Sequence, residues 1–200
     1  MTGNIFSPEA LSPVDPKEVL RYAGAREDGE YAPLLAECIA LADGHLSYRL
    51  AYGVFPVSNK DGVLDLGFFR TPSLDLAKNL AGCDRVLVFG ATLGISFDRL
   101  IARYTAISPV RALLFDALGD ERIEALADAF CAEMKKKYER EGCVLRPRYS
   151  PGYGDLPLDA QREIFSVLSL SKEIGLSLSE SLLMTPRKSV TAFVGIRSNK

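Results

Sequence analysis

The chain has 200 residues, of which 48% are hydrophobic and 25% charged, and its formal net charge is −2. That length can bury a substantial core without staples, and the near-neutral balance excludes a basic surface built for nucleic acid or anionic membrane. Four scattered cysteines without a Cys-x-x-Cys pair, no leader-like N-terminus and no membrane-length apolar run predict reduced thiols in a cytoplasmic protein.

Residues 1–14 carry Pro8 and Pro13 with little periodicity and are predicted as an extended arm ahead of a single domain at 15–200. Asp15-Pro16-Lys17-Glu18 opens a helix, with Asp15 as cap, Pro16 in the first turn and Glu18 three residues after the cap. A charged, glycine-containing loop at 26–30 separates it from a second helix at about 32–43. Tyr48, Leu50, Tyr52 and Val54 alternate with small or polar residues, the period of a half-buried strand. Turn residues at 58–62 and a second run at 63–68 then predict a hairpin with that strand. Ser73 caps a short helix to about Leu80.

Val86-Leu87-Val88-Phe89 reads as a compact strand at 84–89, followed by Gly90 and Gly94. A strand entering a Gly-x-x-x-Gly turn before a helix is one way to cradle phosphate, although the Gly-x-Gly-x-x-Gly fingerprint is missing. Phe97, Leu100, Ile101 and Tyr104 mark the following helix, and Ser108-Pro109 starts another. Ile123, Ala127, Phe130, Met134 and Tyr138 keep helical spacing through a long helix at about 121–140. The one basic run, Lys135-Lys136-Lys137, sits at its end, where cations suit the helix dipole. Residues 144–149 look strand-like, a helix spans 159–174 and stops at Gly175, and strands at 181–184 and 188–196 close the chain. The order of elements predicts an α+β fold, one domain around an antiparallel or mixed sheet with flanking helices.

His45 is the only histidine, so a histidine-rich metal centre and a histidine-based triad are excluded and no metal site is expected. The strongest local signal is Arg148-Tyr149-Ser150-Pro151-Gly152-Tyr153-Gly154. Pro151 fixes a backbone angle, and the two glycines remove side chains where a turn or a ligand comes close. An arginine that can fork onto a carboxylate and an aromatic ring that can stack flank this turn, a combination suited to a small anionic ligand with a flat heterocycle. The same residues also suit a plain tight turn between two elements.

Arg-x-Ser-Pro-Gly-Tyr resembles the S-adenosylmethionine (AdoMet) site of the activation domain of cobalamin-dependent methionine synthase. Phe89-Gly90-Ala91-Thr92-Leu93-Gly94, Leu114-Phe115-Asp116-Ala117-Leu118-Gly119 and Pro186-Arg187-Lys188-Ser189-Val190-Thr191 follow short, stand-alone relatives of that domain in the same order. The resemblance runs from about residue 45 to the C-terminus, and its specific part is 148–154. It implies that Arg148 binds the AdoMet carboxylate and that Ser150 and Gly152 present backbone to the ligand. It further implies that Tyr153 stands nearest the chemistry, in a positioning and stacking role, and that Asp128 receives the ammonium group. Two stretches depart from the family pattern. Gly154-Asp155-Leu156-Pro157 replaces a Pro-x-Cys-Pro-Asp-His continuation, and the late aromatic cluster is reduced to Ala192-Phe193-Val194-Gly195.

The function implied is reactivation: AdoMet is presented for reductive methylation of cob(II)alamin held by a separate corrinoid-binding methionine synthase or methyltransferase. A flavodoxin- or ferredoxin-like donor would supply the electron. His45 lies in Gly44-His45-Leu46, outside the Asp-x-His-x-x-Gly pattern of cobalamin carriers, so the corrinoid belongs to the partner. Two rival readings stand beside this one: a non-catalytic AdoMet-binding or scaffold module, and a small α/β enzyme using residues 90–94 as a cofactor cradle.

Overall fold

The computed structural model describes residues 4–8, 11–25 and 29–199. Parts of the predicted arm and residues 26–28 of the predicted loop lie outside them. The first half contains β1 (Asn4–Phe6), α1 (Pro16–Tyr22), α2 (Ala32–Ala42), a 3-10 turn (Asp43–His45), β2 (Arg49–Pro56), β3 (Ser58–Lys60), β4 (Val63–Asp65) and β5 (Arg70–Thr71). Next come α3 (Leu74–Asn79), β6 (Arg85–Thr92), α4 (Ile95–Ile107), α5 (Pro109–Arg140) and β7 (Cys143–Leu145). A second 3-10 turn (Leu158–Ala160), α6 (Gln161–Leu168), α7 (Leu170–Glu173), β8 (Ser177–Leu178), β9 (Met184–Thr185) and β10 (Ser189–Ser198) complete the chain. The class is α+β, as expected.

A five-stranded sheet in the order β1-β2-β6-β10-β7, antiparallel at every pairing, is the frame. Its strands bury alternate residues on opposite faces, as a pleated strand must. Leu50, Leu87, Phe89, Ala91, Ala192, Val194 and Ile196 face a core completed by α1, α2, α4 and α5, while Ala51, Val86, Val88 and Phe193 face a second core under α3, α6 and α7. The alternation at Tyr48, Leu50, Tyr52 and Val54 therefore separates a face on the first core from a face, with Ala51 and Phe55, on the second. It does not separate core from solvent, because helices cover both sides.

That arrangement corrects the predicted hairpin. β2 pairs with β1 and β6, and the turn at Asp61-Gly62 joins β3 to β4 in a separate three-stranded sheet with β5. The N-terminal arm contributes β1, whose Phe6 packs edge-on against Phe130 at 5.0 Å between ring centroids. Residues 109–140 form one helix of 32 residues where two were expected. Gly119 lies inside it because a Cβ there would fall 2.7 Å from Phe97 Cε1 and 2.8 Å from Lys188 Cγ; the glycine admits close neighbours and does not end the helix. The predicted helix at 159–174 is split into α6 and α7 at Ser169, which is left-handed at φ 52°. Residues 181–184 are mostly turn, with only Met184 entering β9. Two predicted caps bond as caps, Lys17 N–H donating to Asp15 Oδ1 at 3.0 Å and Leu76 N–H to Ser73 Oγ at 3.1 Å, whereas Ser108, also expected to cap, stands at the start of α5 without a side-chain cap bond. All four cysteines are free thiols. Among the described residues no helix is long and apolar enough to cross a membrane.

Residues 90–94 are not a cradle. Gly90 sits within the central strand β6, and a Cβ on it would reach to 2.6 Å from Leu170 Cδ1, so helix α7 packs on it directly. The reading that made this segment a cofactor loop fails on that contact.

Candidate functional site

The predicted strand at 144–149 is interrupted by Pro147, which has no N–H to give the ladder. Pairing with β10 resumes at Tyr149, whose N–H and C=O exchange bonds with Phe193 at 2.9 and 2.8 Å. Between them Arg148 turns toward α5. Its Nη2 donates to Glu124 Oε2 and to Asp128 Oδ1, both at 2.8 Å, and the two acids lie one helical turn apart on the same face. Burial works against the Arg148 charge, but the hydrogen bond it donates to Glu124 and the charges of Glu124 and Asp128 outweigh this and raise its pKa. Neighbouring Cys131 is pushed up to about 11, chiefly by burial, and is a protonated thiol at neutral pH.

The turn that follows is internally bonded. Gly152 N–H donates to Leu156 O at 2.9 Å, Leu156 N–H to Tyr153 O at 3.1 Å, and the Tyr149 hydroxyl to Tyr153 O at 2.9 Å. Burial and the nearby acids Asp75 and Asp155 raise the Tyr149 pKa, which keeps that hydroxyl a donor. Gly152 at φ 90° and Gly154 at φ 54° are both left-handed, and a Cβ at Gly154 would fall 2.5 Å from both Asp75 Oδ2 and Tyr149 Oη. Asp155 fastens the turn to α3. It accepts from the Ser73 hydroxyl, from Leu74 N–H at 2.7 Å and from Asp75 N–H at 3.2 Å. The Ser73 hydroxyl first, then those two amides, hold the Asp155 carboxyl below its ordinary pKa.

A cavity of about 490 Å³ opens beside this turn, within the roughly 300–1,000 Å³ range of small-molecule sites. Arg148, Tyr149, Ser150, Pro151 and Tyr153 form one wall, Ser189, Val190 and Thr191 of β10 form another, and Glu124, Gln161 and Met184 complete it. The β10 wall is fixed from behind, because buried Lys188 donates to Asp120 Oδ1 at 2.7 Å and pairs with Asp116 at 3.1 Å, both on α5.

Three of the five residues singled out from the sequence, Arg148, Ser150 and Tyr153, line this cavity. Tyr153 stands at the rim, 68% exposed. Gly152 is not part of the lining; it shapes the turn, and a Cβ on it would sit 3.3 Å from Leu158 Cδ1. Asp128 lies outside the cavity, in an adjoining depression, and reaches it only through Arg148. The acid that lines the cavity is Glu124. Glu124, Gln161 and Thr191 were not found by sequence reasoning, although the i, i+4 spacing of Glu124 and Asp128 was a visible signal.

Comparisons with known proteins bear on the fold and the family. The crystal structure of the MetH reactivation domain bound to AdoHcy superposes with a TM-score of 0.62 at 18% sequence identity, over 95% of this chain and 71% of that one, a likeness of fold. A search among curated protein sequences found no match. The profile of the family described as "Vitamin B12 dependent methionine synthase, activation domain" matches residues 75–199, more than half of the chain and the whole of the cavity's lining. On that match, the chain belongs to the family of vitamin B12-dependent methionine synthase activation domains.

Proposed function

We propose that this protein binds AdoMet in the cavity beside residues 148–154 and supports reductive methylation of cob(II)alamin held by a separate corrinoid protein. The observation that carries the reading is the charge pattern at Arg148. One guanidinium and two carboxylates, Glu124 and Asp128, sum to −1, and among the described residues the Nε and Nη1 groups of Arg148 have no partner. AdoMet carries a carboxylate, an ammonium and a permanent sulfonium at neutral pH, a net +1. Its carboxylate suits the arginine fork, and its ammonium suits Glu124, the acid on the cavity wall.

The reading is supported further by the family and by the AdoHcy bound to the reactivation domain that shares the fold. The residues present fit the ligand: a charged end at Arg148 and Glu124, and apolar walls at Pro151, Val190 and Met184. When bound, AdoMet supplies an electrophilic methyl group, and the corrinoid of the partner is the acceptor. The chain's own task is to hold that methyl group in line and keep water out, a matter of position more than of proton transfer. In this reading Tyr153 meets the partner's corrinoid, a role its 68% exposure supports. A flavodoxin- or ferredoxin-like donor completes the system.

Titration with AdoMet tests the binding step, and turnover with a cob(II)alamin protein and a reductant tests reactivation. Tight AdoMet binding without methylation of any corrinoid protein would reduce the role to that of a binding module.

A further inference from the structure

Asp116, Asp120, Glu124 and Asp128 stand four residues apart along α5 and so form one row on its surface. Two basic side chains hold the two ends of this row, Arg148 from the turn and Lys188 from the entry to β10. Arg148 takes Glu124 and Asp128, and Lys188 takes Asp120 at 2.7 Å and Asp116 at 3.1 Å. Lys188 is 7% exposed and is not part of the cavity's lining, whereas the three residues that follow it are. Its stem crosses α5 at Gly119, where a Cβ would fall 2.8 Å from Lys188 Cγ and 2.9 Å from Cδ. Residues 114–119 and 186–191, two stretches that stood out in the sequence, thus meet in one contact. Stability does not require a lysine there. A methionine of similar length would fill the same space without taking an ammonium out of water, and such exchanges are often neutral or stabilising.

We propose that Lys188 is a positioning residue for AdoMet binding: by joining β10 to α5, it holds Glu124 and the wall at residues 189–191 at the separation the ligand needs. The inference rests on the AdoMet reading and deepens it. Glu124 is the acid on the cavity wall, and it lies one turn beyond Asp120 on the same row, about 6 Å along the helix axis. Arg148 joins α5 to the turn, and Lys188 joins it to β10. Two attachments, one for each wall, set where Glu124 stands between them. Charge and position pull in opposite directions here. Removing the Lys188 charge leaves the row more negative, and AdoMet is a net cation, so charge alone predicts tighter binding. Loss of position predicts weaker binding.

Calorimetric titration of wild type, Lys188→Met and Lys188→Arg with AdoMet, beside their melting temperatures, tests this. Lys188→Met is expected to bind about tenfold more weakly. It should melt within a few degrees of wild type, because the Asp116 and Asp120 side chains are 35% and 43% exposed and stay hydrated without the lysine. Lys188→Arg keeps a charge for both acids and is expected to bind within about threefold of wild type. A structural role alone would lower the melting temperature and leave the affinity of the folded protein unchanged. Lys188→Met binding as tightly as wild type, or tighter, would therefore overturn the proposal and leave the AdoMet site standing. Equal weakening in both variants would also overturn it, because the ion pair would not be what sets the affinity. Should Lys188→Met fold poorly, Lys188→Gln takes its place. It can donate to one acid, so binding about threefold weaker is expected, and wild-type affinity would overturn the proposal. Failure of wild type to bind AdoMet would overturn the site itself.

Discussion

Arg148 places both of its strong contacts on one nitrogen, so its two acids share one role in the free protein. They differ in position: Glu124 lines the cavity, and Asp128, with a side chain 71% exposed, stands outside. Glu124→Gln is therefore expected to weaken AdoMet binding more than Asp128→Asn, by about three- to tenfold against little change, in the same titration. Equal effects would return Asp128 to the site. Asp155 gives a pH signature. Its folded-state pKa is depressed, so its contribution to stability is complete above the ordinary carboxylate pKa and is lost as pH falls through the lower folded value. Melting temperatures followed from neutral pH into acid should show wild type above Asp155→Asn at neutral pH, with the gap closing in acid; a constant gap would contradict the assignment. Arg148, Ser150 and Tyr153 were legible from the sequence because turn chemistry is local. Glu124, Gln161 and Thr191 were not, because each reaches the cavity from an element of its own.

At the scale of elements, α5 couples the site to the core. It carries Glu124 on one face, holds Lys188 behind the β10 wall, and buries Leu114, Phe115, Leu118, Leu126 and Phe130 against the sheet. Glycine in a helix ordinarily signals weakness or an end, yet Gly119 lies inside α5. Its neighbours Phe97 and Lys188 explain it. Gly119→Val should cost about 1–3 kcal/mol in denaturant unfolding, the usual penalty for overpacking. A neutral result would mean that α4 and the β10 entry can shift to make room. The hairpin error has a related cause. Alternation along β2 was read as core against solvent, but both faces of that strand are covered, and only its partners β1 and β6 reveal this.

Across the whole molecule, one sheet divides two cores, and the cavity opens between residues 148–154, α5, α6 and β10. The N-terminal segment is tied to α5 by a buried pair. Arg122 and Glu121 bond to each other, Arg122 Nη1 donates to Ser12 O at 2.8 Å, and Asp15 N–H reaches Glu121 Oε1 at 3.3 Å. Arg122 is 3% and Glu121 7% exposed, so Arg122→Ala strands a buried carboxylate and should cost about 3–5 kcal/mol of unfolding free energy. A loss below about 1 kcal/mol would show that Glu121 finds water or another partner. The overall class followed from periodicity and capping, which act within a dozen residues; sheet order did not, because every central pairing is long-range.

The central claim is that Arg148 anchors the carboxylate of AdoMet. Calorimetric titration of the wild-type protein and Arg148→Ala with AdoMet tests it most directly. The account predicts saturable binding by wild type and a ten- to hundredfold loss in the variant, about 1.5–3 kcal/mol. Absence of binding by wild type, or a loss under about threefold in the variant, would contradict it.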